Sequence, residues 1–535
     1  MTMILSTTSH RFPTLGQTIR YAFNVCGVLP RKRCEPDGLS EDDKKRLQTR
    51  LKRLANEEGK LTENCDSAIE ELGSIIAATL ASSKLALWIG EVLMDLFSVY
   101  NSVIRTEGTY LTERDTVRWF CRAHAIPRLV VSVRKHLLRF NVMSEGLLTP
   151  PEADWYLPTV TDEKITWPLE KAMHWAYAVC DTNQTNFHYP GKNTWSARPE
   201  CPEQTQNLEN AGSWRTGRRT PSWNSLHWNF LQSFVRLASI PDAKHRREIP
   251  EKLRANILHV LFVARLSTDV CRSMSDTYGP AFLSQLVSQY QQHDAWLAPE
   301  IARLQESLQG HLSTRAARTG DTNRLWWELS EPYWKWFADR LRACAYEMLP
   351  LLAHGDRTQP SEETIASLIT KFGEYPVRRI LDASETASDF PAPPAFAKAV
   401  SAGFELKSKP HCSDDDIGAY EADLQRTALD ACLPWMIPWL RAAVRYRQED
   451  FQSAFLLAAQ AFEQAKYSAG GKQYELVNLY IELAAKTDRW QSFKKGVEWA
   501  NFLGIPVRWL RNDEQTEDRL RGVFELMKLV RYPST

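Results

Sequence analysis

The sequence lacks the cysteine spacing on which zinc ribbons and disulfide frameworks depend. Its ten cysteines are scattered along 535 residues, and no two of them form a C-x-x-C pair. Paired cysteines at that spacing bind zinc, and dense cysteines stabilise small secreted domains, so the scatter argues against both classes. It favours reduced thiols, and we therefore expect a cytoplasmic protein without a metal site.

Long apolar runs and a strong net charge are also missing. The longest apolar run, residues 75–89, is interrupted by Thr79, Ser82 and Lys84, which indicates a buried helix rather than a membrane span. The N-terminus has no basic segment followed by a long apolar run, so we expect no secretory signal. The formal net charge is only +1, and any nucleic-acid surface must therefore be local.

Motifs of the common enzyme classes are absent as well. The chain contains neither G-x-x-x-x-G-K-[ST] nor G-x-G-x-x-G, which bind phosphates and dinucleotides. It also lacks G-x-S-x-G and H-E-x-x-H, which mark serine hydrolases and zinc proteases. We predict no cofactor, and the sequence favours a non-enzymatic protein.

What the sequence does contain is helical periodicity along most of its length. Apolar residues recur at intervals of three to four positions over 67–140, and the C-terminal region after 417 reads as almost uninterrupted helix. Alternating apolar runs joined by tight turns, which would indicate β-hairpins, are sparse. We therefore predict a mainly α fold, and a chain of this length should divide into several units.

One stretch, residues 213–226, indicates the end of one helix and the start of another. Trp214 would anchor the last turn of the first helix, and Gly217 can adopt the left-handed conformation that closes it. Pro221 cannot continue a helix interior, and Ser222 is a good N-cap for the next helix. Between these signals lie three arginines that no apolar pattern claims: Arg215, Arg218 and Arg219.

The pattern W-x-x-G-x-R-x-P-S-x-x-x-L in this stretch resembles the end of a Cro/repressor-type helix-turn-helix, where the recognition helix is followed by the next helix. The likeness extends over about 166–240, although some twenty extra residues replace the family's tight turn. It implies duplex DNA as the ligand, with polar side chains that reach base edges and arginines that contact phosphates. The polar side chains in that position are Gln204, Gln206 and Asn210.

A second basic feature lies near the N-terminus. Ser40 and Asp43 form an N-cap pair that predicts a helix over 41–55. Basic residues in this helix and in the segment before it suit a phosphate-contacting arm; they are Arg31, Lys32, Arg33, Lys45, Arg46, Arg50 and Arg53. The alternative is a solvated helix face, neutralised by the acids at 41–43.

Two Arg/His spacings resemble the R-x4-6-H motif of the HEPN ribonucleases. They are Arg118 with His124, and Arg254 with His259. This resemblance implies an arginine that holds the phosphate and a histidine that transfers a proton, without a metal. The apolar neighbours of His259 fit equally well with a histidine on a buried helix face.

Tryptophan is abundant, with 19 copies, and the richest stretch is 326–336. Aromatic side chains stack on nucleic-acid bases, but at helical spacing they more often belong to a protein core. We therefore predict a core helix there and leave base stacking as the alternative.

Two tetrapeptides in the C-terminal region echo each other. Residues 450–453 read DFQS and residues 489–492 read RWQS, and each opens an amphipathic pattern. A partner helix is predicted between them over 473–485. The repeated helix pair resembles a tetratricopeptide array, which implies a helical surface that binds a protein partner.

These observations predict four units: an N-terminal helical domain with a basic helix (1–150), a helix-turn-helix-like insert (151–245), a central helical domain (246–390) and a tetratricopeptide-like domain (391–535). The expected function is that of a nucleic-acid-associated adaptor or regulator. Its make-up resembles accessory components of bacterial defence or mobile-element systems, by analogy of architecture alone. The alternatives are a HEPN-like ribonuclease and a protein-only scaffold.

Overall fold

The chain folds into a mainly α-helical protein, as predicted. The computed structural model describes residues 12–26, 41–80, 83–106, 116–117, 120–142, 148–161, 164–188, 202–240, 246–319, 334, 394–510 and 516–530. The only strands among these residues are β1 (Thr159–Val160) and β2 (Ile165–Thr166), which pair antiparallel. No helix in the described ranges is both long and apolar enough to cross a membrane.

The helices are numbered in chain order. In the N-terminal half they are α1 (Leu15–Cys26), α2 (Glu41–Ala55), α3 (Leu61–Leu80), α4 (Ser83–Thr106), α5 (Ile126–Val142), α6 (Pro168–Val179), α7 (Gln184–His188), α8 (Pro202–Arg215), α9 (Trp223–Ala238), α10 (Glu251–Tyr278) and α11 (Pro280–Thr319). In the C-terminal half they are α12 (Pro394–Ser408), α13 (Asp414–Arg426), α14 (Met436–Arg447), α15 (Phe451–Ala465), α16 (Gln473–Lys486), α17 (Trp490–Leu503) and α18 (Glu517–Leu529). A π-turn (Cys121–Ala125) precedes α5, and a 3-10 turn (Gly470–Lys472) precedes α16.

Helix α2 occupies the residues that its capping signals predict. Leu47 and Leu54 are buried, while Lys45, Lys52 and Arg53 point to solvent. This amphipathic division is what a 3.6-residue period produces, and it packs α2 against α1 and α3.

The two similar tetrapeptides at 450–453 and 489–492 lie in two helical hairpins that have the same turn. Helices α14 and α15 form the first hairpin, and α16 and α17 form the second. Glu449 and Asp488 take positive φ angles of 68° and 59° at equivalent points. The following residues, Asp450 and Arg489, each return a backbone hydrogen bond to a carbonyl five residues earlier, over 3.0 and 2.8 Å. The equivalent turns show that the echo marks a structural repeat of helix pairs.

The N-terminal helices pack directly on this C-terminal array. The Lys466 side chain is 1% exposed, and its ammonium group contacts the carboxylate of Glu57, which follows α2. The Tyr467 hydroxyl donates to the same carboxylate and accepts from the Leu15 amide at 3.1 Å. Helices α3 and α4 contact α17 as well. The two ends of the chain therefore share one polar junction within a continuous core.

Residues 148–161, at the predicted boundary between the first two units, lie against the helices. Trp155 and Tyr156 are buried, and the Tyr156 hydroxyl lies 3.2 Å from that of Tyr290 in α11. The paired strands follow directly. Sequence patterning did not indicate them, because four paired residues are too few for a period of two to appear. Helix α6 begins directly after β2, which ends at Thr166. Trp167 is the N-cap of α6, and Pro168 is its first residue.

Candidate nucleic-acid interface

The four helices α6 to α9 follow one another in the order of the proposed helix-turn-helix. Helix α6 packs against α8 and α10, and the short α7 packs against α8 and α9. Leu169, Met173 and Tyr177 of α6 are buried, as their spacing predicts. Helix α8 corresponds to the expected recognition helix, and its end meets the start of α9 at a corner formed by residues 213–223, which we call the arginine corner.

The backbone of the arginine corner is determined by its apolar residues and by its caps. Trp214 is 4% exposed and Trp223 is fully buried, so both ends of the loop are anchored in the core. Gly217 has a φ of +69°, and its amide donates to the Trp214 carbonyl at 3.2 Å. The Ser222 hydroxyl accepts from the Ser225 amide at 3.2 Å and caps α9. These local signals were all read correctly from the sequence.

Replacing Gly217 by alanine is expected to destabilise this corner. A Cβ atom there would lie 2.1 Å from Cδ1 of the Trp167 ring, and the left-handed φ disfavours any L-residue. We expect Gly217→Ala to lower the free energy of unfolding by about 2–5 kcal/mol, measured by urea unfolding. Gly90→Ala is the matched control, because a Cβ there meets nothing within 4 Å inside a helix. An equally small effect of both substitutions would contradict the close packing of Trp167 on Gly217.

Helix α10 donates side-chain hydrogen bonds to the backbone of the arginine corner. The Arg265 side chain is 1% exposed and donates through Nε to the Pro221 carbonyl at 2.9 Å. Arg272, two turns further on, donates to the Arg218 carbonyl at 3.3 Å. Each of these arginines also lies near one carboxylate of its own helix: Asp269 at 3.5 Å and Asp276 at 3.8 Å. The corner therefore rests on two cations that are partly neutralised.

The arginines of the loop itself differ in exposure. Arg218 and Arg219 are exposed, and neither forms an ion pair with a carboxylate in the described part of the chain. Arg215 is half-buried, and its Nη1 lies 3.3 Å from Nε2 of His174. Its Nε is buried without a hydrogen-bond partner among the described atoms. The loop thus presents two solvated guanidinium groups, with a third partly covered behind them.

The polar residues expected to read bases lie in α8. Asn210 is half-buried, one turn before Trp214. Gln204 and Gln206 belong to the same helix, but their side chains lie outside the described atoms. The backbone at these positions is helical, as the resemblance requires.

A buried histidine stabilises the helices beneath the corner. His188, the last residue of α7, is completely buried, and its Nε2 lies 2.8 Å from the Tyr177 hydroxyl. The Ser233 hydroxyl donates to the Asn229 carbonyl at 2.8 Å, so its oxygen is placed to accept from Nδ1 of His188 at 3.4 Å. Burial lowers the pKa of His188 to about 3, which keeps the ring neutral.

The described basic residues near the N-terminus belong to α2, which is not part of the arginine corner. Lys45, Arg46 and Arg53 are exposed on α2, whereas Arg50 pairs with Glu71 of α3. The cluster Arg31–Arg33 lies outside the described residues. Helix α2 packs on α1 and α3, and α1 in turn contacts α10, the helix that carries the corner.

The two ribonuclease-like pairs lie in different surroundings. Arg118 falls outside the described residues, and its partner His124 is 2% exposed with its ring against Phe120. Arg254 and His259 are half-buried in α10. Five residues turn an α-helix through about 140° net, so these two side chains leave the helix in divergent directions.

Sequence reasoning missed three residues near the corner. Arg265 and Arg272 lie 44 and 54 positions after the loop residues they contact, and no local pattern links them to the loop. Trp228, on α9, is 54% exposed. Its position between the core residues Leu226 and Phe230 was the available signal.

In the stretch 326–336, Trp334 is described and is 2% exposed, as the predicted core helix requires.

Among the described residues, no group of three or more His, Cys, Asp or Glu side chains is arranged to hold a metal ion. Compared with protein-family models, with curated proteins and with solved structures, the chain gives no match.

Proposed function

We propose that the protein is a nucleic-acid-associated adaptor whose arginine corner contacts the phosphate backbone. The observation that carries this proposal is the solvent exposure of Arg218 and Arg219 on a loop whose backbone is determined from both sides. Solvated guanidinium groups on a preformed loop lose little conformational freedom on binding and suit the planar geometry of phosphate. The placement of α8 beside this loop adds the helix that the helix-turn-helix resemblance assigns to base contacts.

The C-terminal helices supply the adaptor half of the proposal. A cleft of about 250 Å³ opens between α13, α14 and α15, with Leu424, Leu433 and Ile437 among its apolar lining. Glu421 and Arg441 pair across its rim at 2.7 Å. The chain's own helices α3 and α4 pack on α17, which does not line the cleft. The cleft is therefore the surface on which we place a protein partner. Membership of a bacterial defence or mobile-element system stays a prediction from architecture.

Replacing Arg218 and Arg219 together by glutamine is expected to weaken binding of duplex DNA. The loss should be about tenfold for each arginine at low salt, because a charge-assisted hydrogen bond contributes about 1.5–3 kcal/mol before competition from ions. The slope of log affinity against log salt should fall by about one for each phosphate contact removed. Fluorescence anisotropy of a labelled duplex over a salt titration measures both quantities.

The matched control is the double variant Arg426→Gln and Arg521→Gln. These arginines are 78% and 61% exposed and lie on other helices. Replacing them changes the net charge by the same amount as replacing Arg218 and Arg219. Equal weakening in both double variants would show that only net charge matters. Absence of binding at low salt would favour the protein-only scaffold, and metal-independent RNA cleavage lost in His259→Ala would favour the ribonuclease.

A further inference from the structure

Helix α9 presents an indole ring to solvent directly after the arginine corner. Trp228 is 54% exposed, whereas Trp223 at the start of the same helix is fully buried. Large aromatic rings usually lie in the core or at an interface, since burying them removes extensive apolar surface from water. The buried residues of α9 repeat at 223, 226, 230 and 234, which places Trp228 on the opposite face of the helix.

The surroundings of Trp228 on this helix are neutral or basic. The sequence of α9, WNSLHWNFLQSFVRLA, contains no aspartate or glutamate. The charged or titratable residues on it are His227 and Arg236, and burial lowers the pKa of His227. An anionic ligand that lies along α9 would therefore meet no carboxylate belonging to this helix.

The ring lies close enough to the corner for one ligand to reach both. The four peptide units from Arg219 to Trp223 span at most about 14 Å. Trp228 lies a further 7–8 Å or so along the helix axis. Single-stranded nucleic acids bind proteins over stretches of about four or more nucleotides, which cover such a distance.

We propose that the ligand of this surface is single-stranded nucleic acid, with phosphates on Arg218 and Arg219 and one unpaired base stacked on Trp228. The inference rests on the proposed function, which supplies the phosphate contacts. In a duplex each base is already stacked and its faces are closed to a side chain, so a duplex engages the arginines and the polar side chains of α8 but not the indole ring. An unpaired strand engages both the arginines and the indole ring, and stacking of this kind tolerates any base sequence.

The competing occupant of this face is an apolar protein segment. Val235 is 59% exposed, two turns after Trp228, and Leu231 lies half-buried between them. A partner helix would use all three side chains, whereas a stacked base needs the aromatic ring alone. The lack of carboxylates on α9 itself and the short chain distance from the exposed arginines to Trp228 favour the nucleic acid.

The test compares a labelled 20-nucleotide single strand with a hairpin duplex of the same sequence, using the full chain and fluorescence anisotropy. We expect the wild type to bind the single strand more tightly. Trp228→Ala should weaken single-strand binding about five- to hundredfold and leave duplex binding unchanged. Trp228→Phe, which keeps an aromatic face, should retain single-strand affinity within about threefold. Val235→Ala, the control at an equally exposed apolar residue of the same face, should change neither affinity.

Three results would overturn the inference: equal wild-type affinity for both ligands, unchanged single-strand binding in Trp228→Ala, or full retention of binding in Trp228→Leu, which keeps bulk without an aromatic ring. In each case salt-dependent binding that is lost in the Arg218/Arg219 double variant would still support the proposed function. Loss of nucleic-acid binding altogether would reject both proposals. Thermal unfolding of each variant shows whether the change is confined to the surface.

Discussion

The free energy of unfolding should fall by about 3 kcal/mol between pH 6.5 and pH 5, because two histidines are buried in the neutral form. Burial lowers the pKa of both His188 and His293 to about 3. The unfolded chain takes up protons below its ordinary histidine pKa of 6.5, while the folded chain does not do so until about pH 3. Stability is therefore complete above pH 6.5 and decreases on acidification, by up to roughly 1.4 kcal/mol per pH unit for each histidine.

The surroundings of these two rings explain why neither accepts a proton. His188 lies against the rings of Phe187, Phe230 and Tyr177, and the nearby charge of Arg236 lowers its pKa further. His293 is fully buried in α11, with its Nε2 at 3.2 Å from the Gln289 amide. Within the described part of the chain, no carboxylate raises the pKa of either ring.

Urea unfolding at half-unit steps of pH checks this expectation. His188→Phe should remove about half of the decrease between pH 6.5 and pH 5, and combining it with His293→Gln should remove most of it. His411→Gln, at an exposed position, is the control and should leave the pH dependence unchanged. A pH dependence that is identical in wild type and in both buried-site variants would show that these rings do not govern acid stability.

The second large effect is expected at the junction between the two ends of the chain, where Lys466→Met should cost about 3–5 kcal/mol of stability. The Lys466 ammonium group contacts the Glu57 carboxylate and lies 3.2 Å from that of Glu463. It also sits 4.9 Å from the ring centre of Phe462 and 5.3 Å from that of Trp499. Removing one partner of a buried ion pair leaves the other charge without compensation in a medium that solvates it poorly.

Substitution of both partners should be less harmful than the single change. In Lys466→Met combined with Glu57→Gln, the remaining carboxylate of Glu463 keeps its pair with Lys495 at 2.6 Å, and the glutamine still offers an oxygen to the Tyr467 hydroxyl. Burial and the negative charge of Glu57 raise the pKa of that hydroxyl, so it stays protonated and acts as a donor. A double-mutant cycle, measured by urea unfolding, should show strong coupling between the two positions.

Lys60→Met is the control for this cycle. Lys60 pairs with Glu63 nearby in the same region, but both side chains are about two-thirds exposed at 65% and 67%. We expect no measurable loss of stability in Lys60→Met, because the charges of an exposed ion pair are solvated by water whether or not the pair forms. Additive effects of Lys466 and Glu57 would contradict a shared junction. Hydrogen exchange should locate the loss at the end of α2 and the start of α3, because Glu57 lies between these two helices.

Local structure was predictable wherever neighbouring residues determine it. The bounds of α2, the left-handed Gly217 and the Ser222 cap follow from propensities and caps that act within one helical turn. The repeat of hairpins at 450 and 489 was likewise visible, because the same turn recurs with the same sequence signals. The short β1–β2 ribbon was not, since it depends on the packing of the segment that carries it.

The candidate site was only half accessible to sequence reasoning. The exposed arginines were identified because no apolar pattern included them, and that expectation of exposure holds for Arg218 and Arg219. Their supports, Arg265 and Arg272, come from a helix that the fold brings beneath the loop. The exposed indole of Trp228 depends on which face of α9 meets the core, and that requires knowing what α9 packs against.

By itself, the amino-acid sequence determined the helical class, the corner between α8 and α9, and the repeated hairpins, because hydrophobic period, capping and glycine conformation act over a few residues. Tertiary structure alone decided that Glu57 contacts Lys466, that His188 and His293 are buried, and that Trp228 is exposed to solvent. Burial and partnership between distant residues are properties of the packed chain, since the same side chain is core or surface according to what lies against it.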